Sequence, residues 1–158
     1  PLPDLPVRFS DTVLVGVVNR LQPHLSEDRT NIYTEYTITI TAVLRNKNGL
    51  AMNPGSTIAL DRMGGAIRLS PSRVIFQRVE GEGAPLIVGH RYVLFLRYDT
   101  RGSWFRSVKS WELRNGVVLP VDPGDIAVAQ RGQSRFAGTD EPDFISAVRD
   151  AVQRVSGQ

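Results

Sequence analysis

An all-β domain, a small OB-like barrel followed by a C-terminal α-helix, is what the sequence predicts, on three observations. Apolar runs of strand length recur between residues 12 and 121. Turn formers such as Asn-Gly, Pro-Gly and Gly-Gly punctuate them. Helical periodicity is confined to the segment after residue 140.

The first strand is TVLVGVVN, residues 12–19, a continuous valine-rich run suited to burial on both faces. A polar stretch, RLQPHLSEDRTN, reads as the loop that follows. The clearest element is IYTEYTITITAVL, residues 32–44. Ile32, Tyr36, Ile38, Ile40, Ala42 and Leu44 are expected on one face, with Thr34 the exception, and Glu35, Thr37, Thr39 and Thr41 on the other. A strand of that length coils and serves both halves of a small barrel. After a loop at 45–56, the segments STIALDRM, AIRL and RVIFQRVE read as three strand pieces. HRYVLFLRY is a further strand, and WELRNGVVLPV carries Asn115-Gly116 between apolar alternations, the signature of a two-residue type I′ hairpin.

The helix is expected at about 140–156, behind a linker at about 123–139, with the barrel at about 10–122; all 158 residues form a single domain. Asp140 stands at its N-cap, with Glu141, Pro142 and Asp143 in the first turn, and Gly157 suits its end. Phe144, Val148, Ala151, Val152 and Val155 make one apolar stripe that is expected to pack on the barrel.

Composition narrows the function. Apolar residues make up 41% and charged residues 22%, ordinary values for a folded globular chain. The longest apolar run, Val13 to Val18, is far short of the roughly 20 residues of a membrane-spanning helix. With no cysteine there is no disulfide, thiolate metal site or cysteine nucleophile. Residues 62–114 hold ten Lys/Arg against four Asp/Glu, a net of +6 within a chain of net charge +3. That bias suits an anionic partner but lacks the dense basic clusters of a nucleic-acid binder. Position 1 is proline, not methionine, and a removed secretory leader, hence an exported protein, is expected.

Three segments resemble netrin-like modules and the amino-terminal domain of tissue inhibitors of metalloproteinases: FSDTVLVGVV, YTEYTITITAVLRN and PLIVGHRYVLFL. The third pairs Gly89 with an aromatic-apolar run from Tyr92 to Leu94. The resemblance implies a five-stranded OB-type barrel with flanking helices. It does not imply protease inhibition, because Pro1 stands where those inhibitors have a zinc-chelating cysteine and their disulfides have no counterpart.

Candidate chemistry is sparse. His24, Ser26, Glu27 and Asp28 share a loop, but there is no GxSxG elbow and no recognised metal spacing, so local turn hydrogen bonds are the expected role of Ser26 and Asp28. Glu80 and Glu82, and Asp122 with Asp125, read as solvated turn residues and not as an acid/base pair. No catalytic residue, metal or cofactor is expected. Binding is the open possibility. Trp104, Arg106, Lys109 and Trp111 gather aromatic and basic groups within eight residues, the chemistry of a stacking platform, with burial of the tryptophans in the core as the alternative.

The stretch DRMGGAIR admits three readings. In the first, Gly64-Gly65 is a two-residue hairpin turn that sets Leu60 opposite Leu69 and Asp61 opposite Arg68. In the second the glycines bend or bulge a barrel strand, and in the third they contact a ligand. The function expected is a non-catalytic exported module that recognises protein. The alternative is an oligosaccharide-binding module built on the tryptophan cluster, and the acidic loop at 26–28 argues against nucleic acid.

Overall fold

Alternation in the first two strands places the core. The computed structural model describes residues 3–79 and 83–157. Strand β1 (Thr12–Leu25) pairs antiparallel with β2 (Ile32–Asn46) along its whole length. β2 also pairs with β3 (Thr57–Met63), and β1 with β6 (Arg91–Asp99). β6 pairs with β7 (Trp104–Arg114), and β7 meets β3 in parallel at Leu60↔Phe105 and Asp61↔Arg106. The circuit β1-β2-β3-β7-β6-β1 is therefore a partly closed ring of five strands, a small all-β barrel-like fold. β8 (Val117–Pro120) extends β7 outside the ring, and β4 (Gly65–Ser70) with β5 (Arg73–Gln77) forms a separate two-stranded hairpin.

Two apolar layers result. Leu14, Val18, Tyr36, Ile38, Ile40, Leu60, Leu94, Leu96 and Phe105 fill the barrel. Val13, Val15, Val93, Phe95, Trp111 and Leu113 point outward and are covered by Phe144 and Val148 of helix α2 (Glu141–Ser156), together with Phe136. The valine run in β1 is thus buried on both faces, as its composition predicts. Arg91 clamps the first turn of α2 through two bonds to Glu141, at 2.8 and 3.2 Å. Asp140 takes the extended N-cap conformation, without a side-chain capping bond. The Asn115-Gly116 turn has φ of 54° and 78°, and Arg114 pairs with Val117 across it, a two-residue hairpin of type I′ geometry.

Four expectations are corrected. β1 continues through the supposed loop to Leu25, because Arg20 to Leu25 find ladder partners in Thr37 to Ile32 that local composition does not reveal. Ala42 and Leu44 leave the inner face of β2 and join the layer under α2. Register shifts opposite Val13/Leu14 and Val15/Gly16 exchange the faces there, since one unpaired residue inverts the alternation. Within the supposed linker, residues Pro123–Gln130 form a helix, α1, beginning at a proline favoured in the first turn. Finally, Gly64-Gly65 is not a hairpin turn: Leu60 lies opposite Tyr36 and Phe105, and Arg68 opposite Val74. Nor does Asp61 pair with Arg68, whose guanidinium donates to the Pro71 carbonyl.

The glycines are where the chain leaves the barrel. Both have positive φ, 94° and 137°. A side chain at Gly65 would fall on the hydroxyl of Thr34, which donates to the Gly64 carbonyl at 2.7 Å. Thr34, the exception on the apolar face of β2, is buried to make that bond.

Candidate functional site

The bend at Gly64-Gly65 projects the β4–β5 hairpin away from the barrel wall. Its base is held by the Gly64 amide on the Ile32 carbonyl and by Gln77, whose side chain bonds the Ile32 amide and Asn31. Beyond that base the hairpin is a two-stranded ribbon. In register, Ala66↔Phe76 and Arg68↔Val74 share one face, and Ile67↔Ile75 and Gly65↔Gln77 the other. The first face is open: Val74 is 53% and Phe76 66% exposed, and Leu69 at the ladder irregularity and Met63 before the bend are exposed near it. Large apolar side chains grouped this way on one ribbon mark an interaction site more often than scattered ones do. Residues 64–79 carry three arginines, Arg68, Arg73 and Arg78, and no acid. Glu80 and Glu82 lie outside the described residues, as does Pro1.

Two cavities flank the hairpin. One, of about 440 Å³, lies between its base and α1 and is lined by Met63, Gly64, Gly65, Phe76, Ile126 and Ala127 among others. The other, of about 630 Å³, lies between the hairpin and the β1–β2 loop, with Leu25, Ile32, Leu69 and Ile75 in its wall. Phe76 and Gln77 border both. Gly64 and Gly65 are thus architecture first, and also part of a cavity wall.

The aromatic-basic cluster divides into a buried and an open half. A register shift between Phe95 and Leu96 leaves Val108 unpaired. It keeps all four side chains on one side of β7: Trp104 opposite Asp99, Arg106 opposite Arg97, Lys109 opposite Phe95 and Trp111 opposite Val93. Trp111 is 0% exposed, packed at 5.5 Å from the Phe144 ring and 6.2 Å from Phe136, with its indole N–H on the Asp4 carbonyl. Lys109 is 4% exposed, 5.8 Å above the Trp111 ring, and donates to the Pro3 carbonyl and to Asp125. Neither reaches the surface, so the four do not form an exposed platform. Trp104 is half-buried against Gly102, and Arg106 is exposed and paired to Asp99 at 2.8 Å.

Asp122 and Asp125 are not solvated turn residues. Asp125 pairs with Lys109 at 2.9 Å, and Asp122 accepts the Ser110 amide at 3.3 Å. Burial raises the Asp122 carboxyl above its usual range, against the opposing pull of the Ser110 amide and Arg62. The return of the chain beneath β7 half-buries both, a long-range event that Asp-Pro-Gly-Asp does not announce.

The histidine loop is a turn. His24 lies on β1 and stacks on Tyr33, ring centroids 5.9 Å apart. Asp28 accepts the hydroxyls of Ser26 and Thr30 and the Thr30 amide, which hold its pKa down to about 2. Among the described residues no group of three or more His, Asp or Glu is disposed to hold a metal ion.

One acid is poorly placed. Asp61 stands opposite Glu35 on β2 and Arg106 on β7. Its Oδ1 is buried without a hydrogen-bond partner among the described residues. Burial raises its pKa; the charges of His24 and Arg106 oppose this and Glu35 adds to it.

The hairpin surface went unread in the sequence, although RVIFQ carries its signal, apolar residues on both faces of a five-residue strand. No helix among the described residues is long and apolar enough to cross a membrane. Comparison with family models, with curated proteins and with solved structures returns no match.

Proposed function

We propose that this chain is a non-catalytic interaction module that recognises protein through the β4–β5 hairpin. One observation carries the reading: a ribbon projecting from a well-packed barrel leaves Val74 and Phe76 more than half exposed on the same face. Burying such side chains supplies roughly 1.5–3 kcal/mol each, and a partner's surface is the natural means of burial. The netrin-like resemblance belongs to the same reading, as a barrel used for recognition. Export of the module is a separate part of the proposal, which fractionation of cells expressing the protein tests.

A photo-crosslinking phenylalanine analogue at position 76, introduced in the source cells, tests the function. The expected result is a covalent adduct with a polypeptide, identified by mass spectrometry, and none from the same analogue at Gln153 on the far helix. Equal yields at both positions, or no polypeptide adduct at 76, refutes it.

A further inference from the structure

We infer that β5 pairs antiparallel with β5 of a second copy of this chain, joining two hairpins into one four-stranded sheet. The inference rests on the protein-recognition reading above and names the partner. It begins with an edge. β5 ladders with β4 alone, and no other backbone hydrogen bond from residues 73–77 is found among the described residues. Its outer row of amides and carbonyls therefore has no backbone partner among the described residues. Exposed edges are commonly protected by proline, lysine or an inward charge, or by a bulge. In β5 only Arg73, at its first position, supplies such a charge; Val74, Ile75 and Phe76 carry none of these, and the one irregularity in the ladder lies on the β4 side, between Arg68 and Ser70.

The register selects the occupant. A two-fold axis through Ile75 sets Ile75 opposite its own copy, Val74 opposite Phe76, and Arg73 opposite Gln77. No like charges meet. On one face the pairings already present in each hairpin extend into a row of four isoleucines: Ile67 and Ile75 from one copy, then Ile75 and Ile67 from the other. On the opposite face the two exposed pairs, Val74 with the other copy's Phe76 and the reverse, lie side by side. Aromatic and β-branched residues directly opposed are among the favourable cross-strand pairs. A partner strand of opposite charge would leave this internal symmetry unused; a second copy uses every residue of RVIFQ.

The absence of cysteine makes the register directly measurable. Opposed residues of an antiparallel pair have Cα atoms about 4.5–5.5 Å apart, within the span of a disulfide. Ile75→Cys is expected to oxidise to a covalent dimer. Arg73→Cys and Gln77→Cys are each expected to form no covalent dimer under the same oxidation and to cross-link to each other when mixed. Sedimentation velocity on the unmodified chain should show a concentration-dependent monomer–dimer equilibrium, and Phe76→Glu should weaken it by about 30-fold or more. A chain that stays monomeric to millimolar concentration overturns the proposal. So does a dimer indifferent to Phe76→Glu, or self-cross-linking of Arg73→Cys. If the chain is monomeric while the analogue at position 76 still captures another polypeptide, self-pairing fails and protein recognition stands; if it captures none, both fail.

Discussion

Replacing Lys109 by methionine separates the two roles open to that residue, ligand contact and structural ion pair. In the fold its ammonium sits under the N-terminal segment and pairs with Asp125 at 2.9 Å, with side-chain exposures of 5% and 16%. Lys109→Met keeps most of the stem volume and removes the charge, leaving the Asp125 carboxylate shielded from water and unpaired. Stranding one member of a buried pair costs about 3–5 kcal/mol, and the residual access of water to Asp125 places this case near 3 kcal/mol. The Pro3 carbonyl adds little, because Pro3 is exposed and water replaces the lost bond. For a chain of this size that loss lowers the melting temperature by about 6–12 °C. The double variant Lys109→Met/Asp125→Leu removes both charges and should return to within about 1 kcal/mol of the parent. Urea unfolding followed by tryptophan fluorescence measures all three proteins. A single variant within about 0.5 kcal/mol of the parent, or a double variant no more stable than the single, refutes the structural assignment.

Trp111→Ala should cost about 3–5 kcal/mol by the same assay, and Trp104→Ala less than half as much; the reverse order would return Trp111 to the surface. Asp61→Asn should stabilise the protein at pH 7, because burial raises the Asp61 carboxyl above its unfolded pKa of 3.8 and so penalises its ionised form. A raised carboxyl favours the protonated fold, so stability is lost as pH climbs from 3.8 through the raised value. The advantage of asparagine should therefore vanish below pH 3.8, and an advantage unchanged at low pH would contradict it. Gly65→Ala should cost about 2–4 kcal/mol, since it meets Thr34 as well as adopting positive φ. Gly116→Ala, with φ of 78° and open space around it, should cost about 1 kcal/mol; equal losses would remove the close-approach argument.

Local chemistry made much of this fold legible. The two-sided valine run of β1, the Asn115-Gly116 turn and the stripe of α2 each depend on neighbours in sequence, and each forms where the residues indicate. Residues 20–25 were hidden because a strand rich in polar residues is recognised by its partner, and the partner lies on β2. The fate of the aromatic-basic cluster was hidden for a related reason. Trp104 through Trp111 looks like a platform until α2 and residue 136 cover one half of it.

By itself the sequence determined an all-β barrel with a terminal helix, because alternation, turn chemistry and helical periodicity are properties of adjacent residues. Only the tertiary structure decided which apolar groups stay outside. Val74 and Phe76 are no less apolar than Val93 and Phe95, yet the first pair is open and the second buried. The difference lies in where Gly64 and Gly65 send the chain. Positive φ at both, against the close approach of Thr34, carries β4 and β5 into a separate two-stranded sheet, and Val74 and Phe76 fall outside both apolar layers.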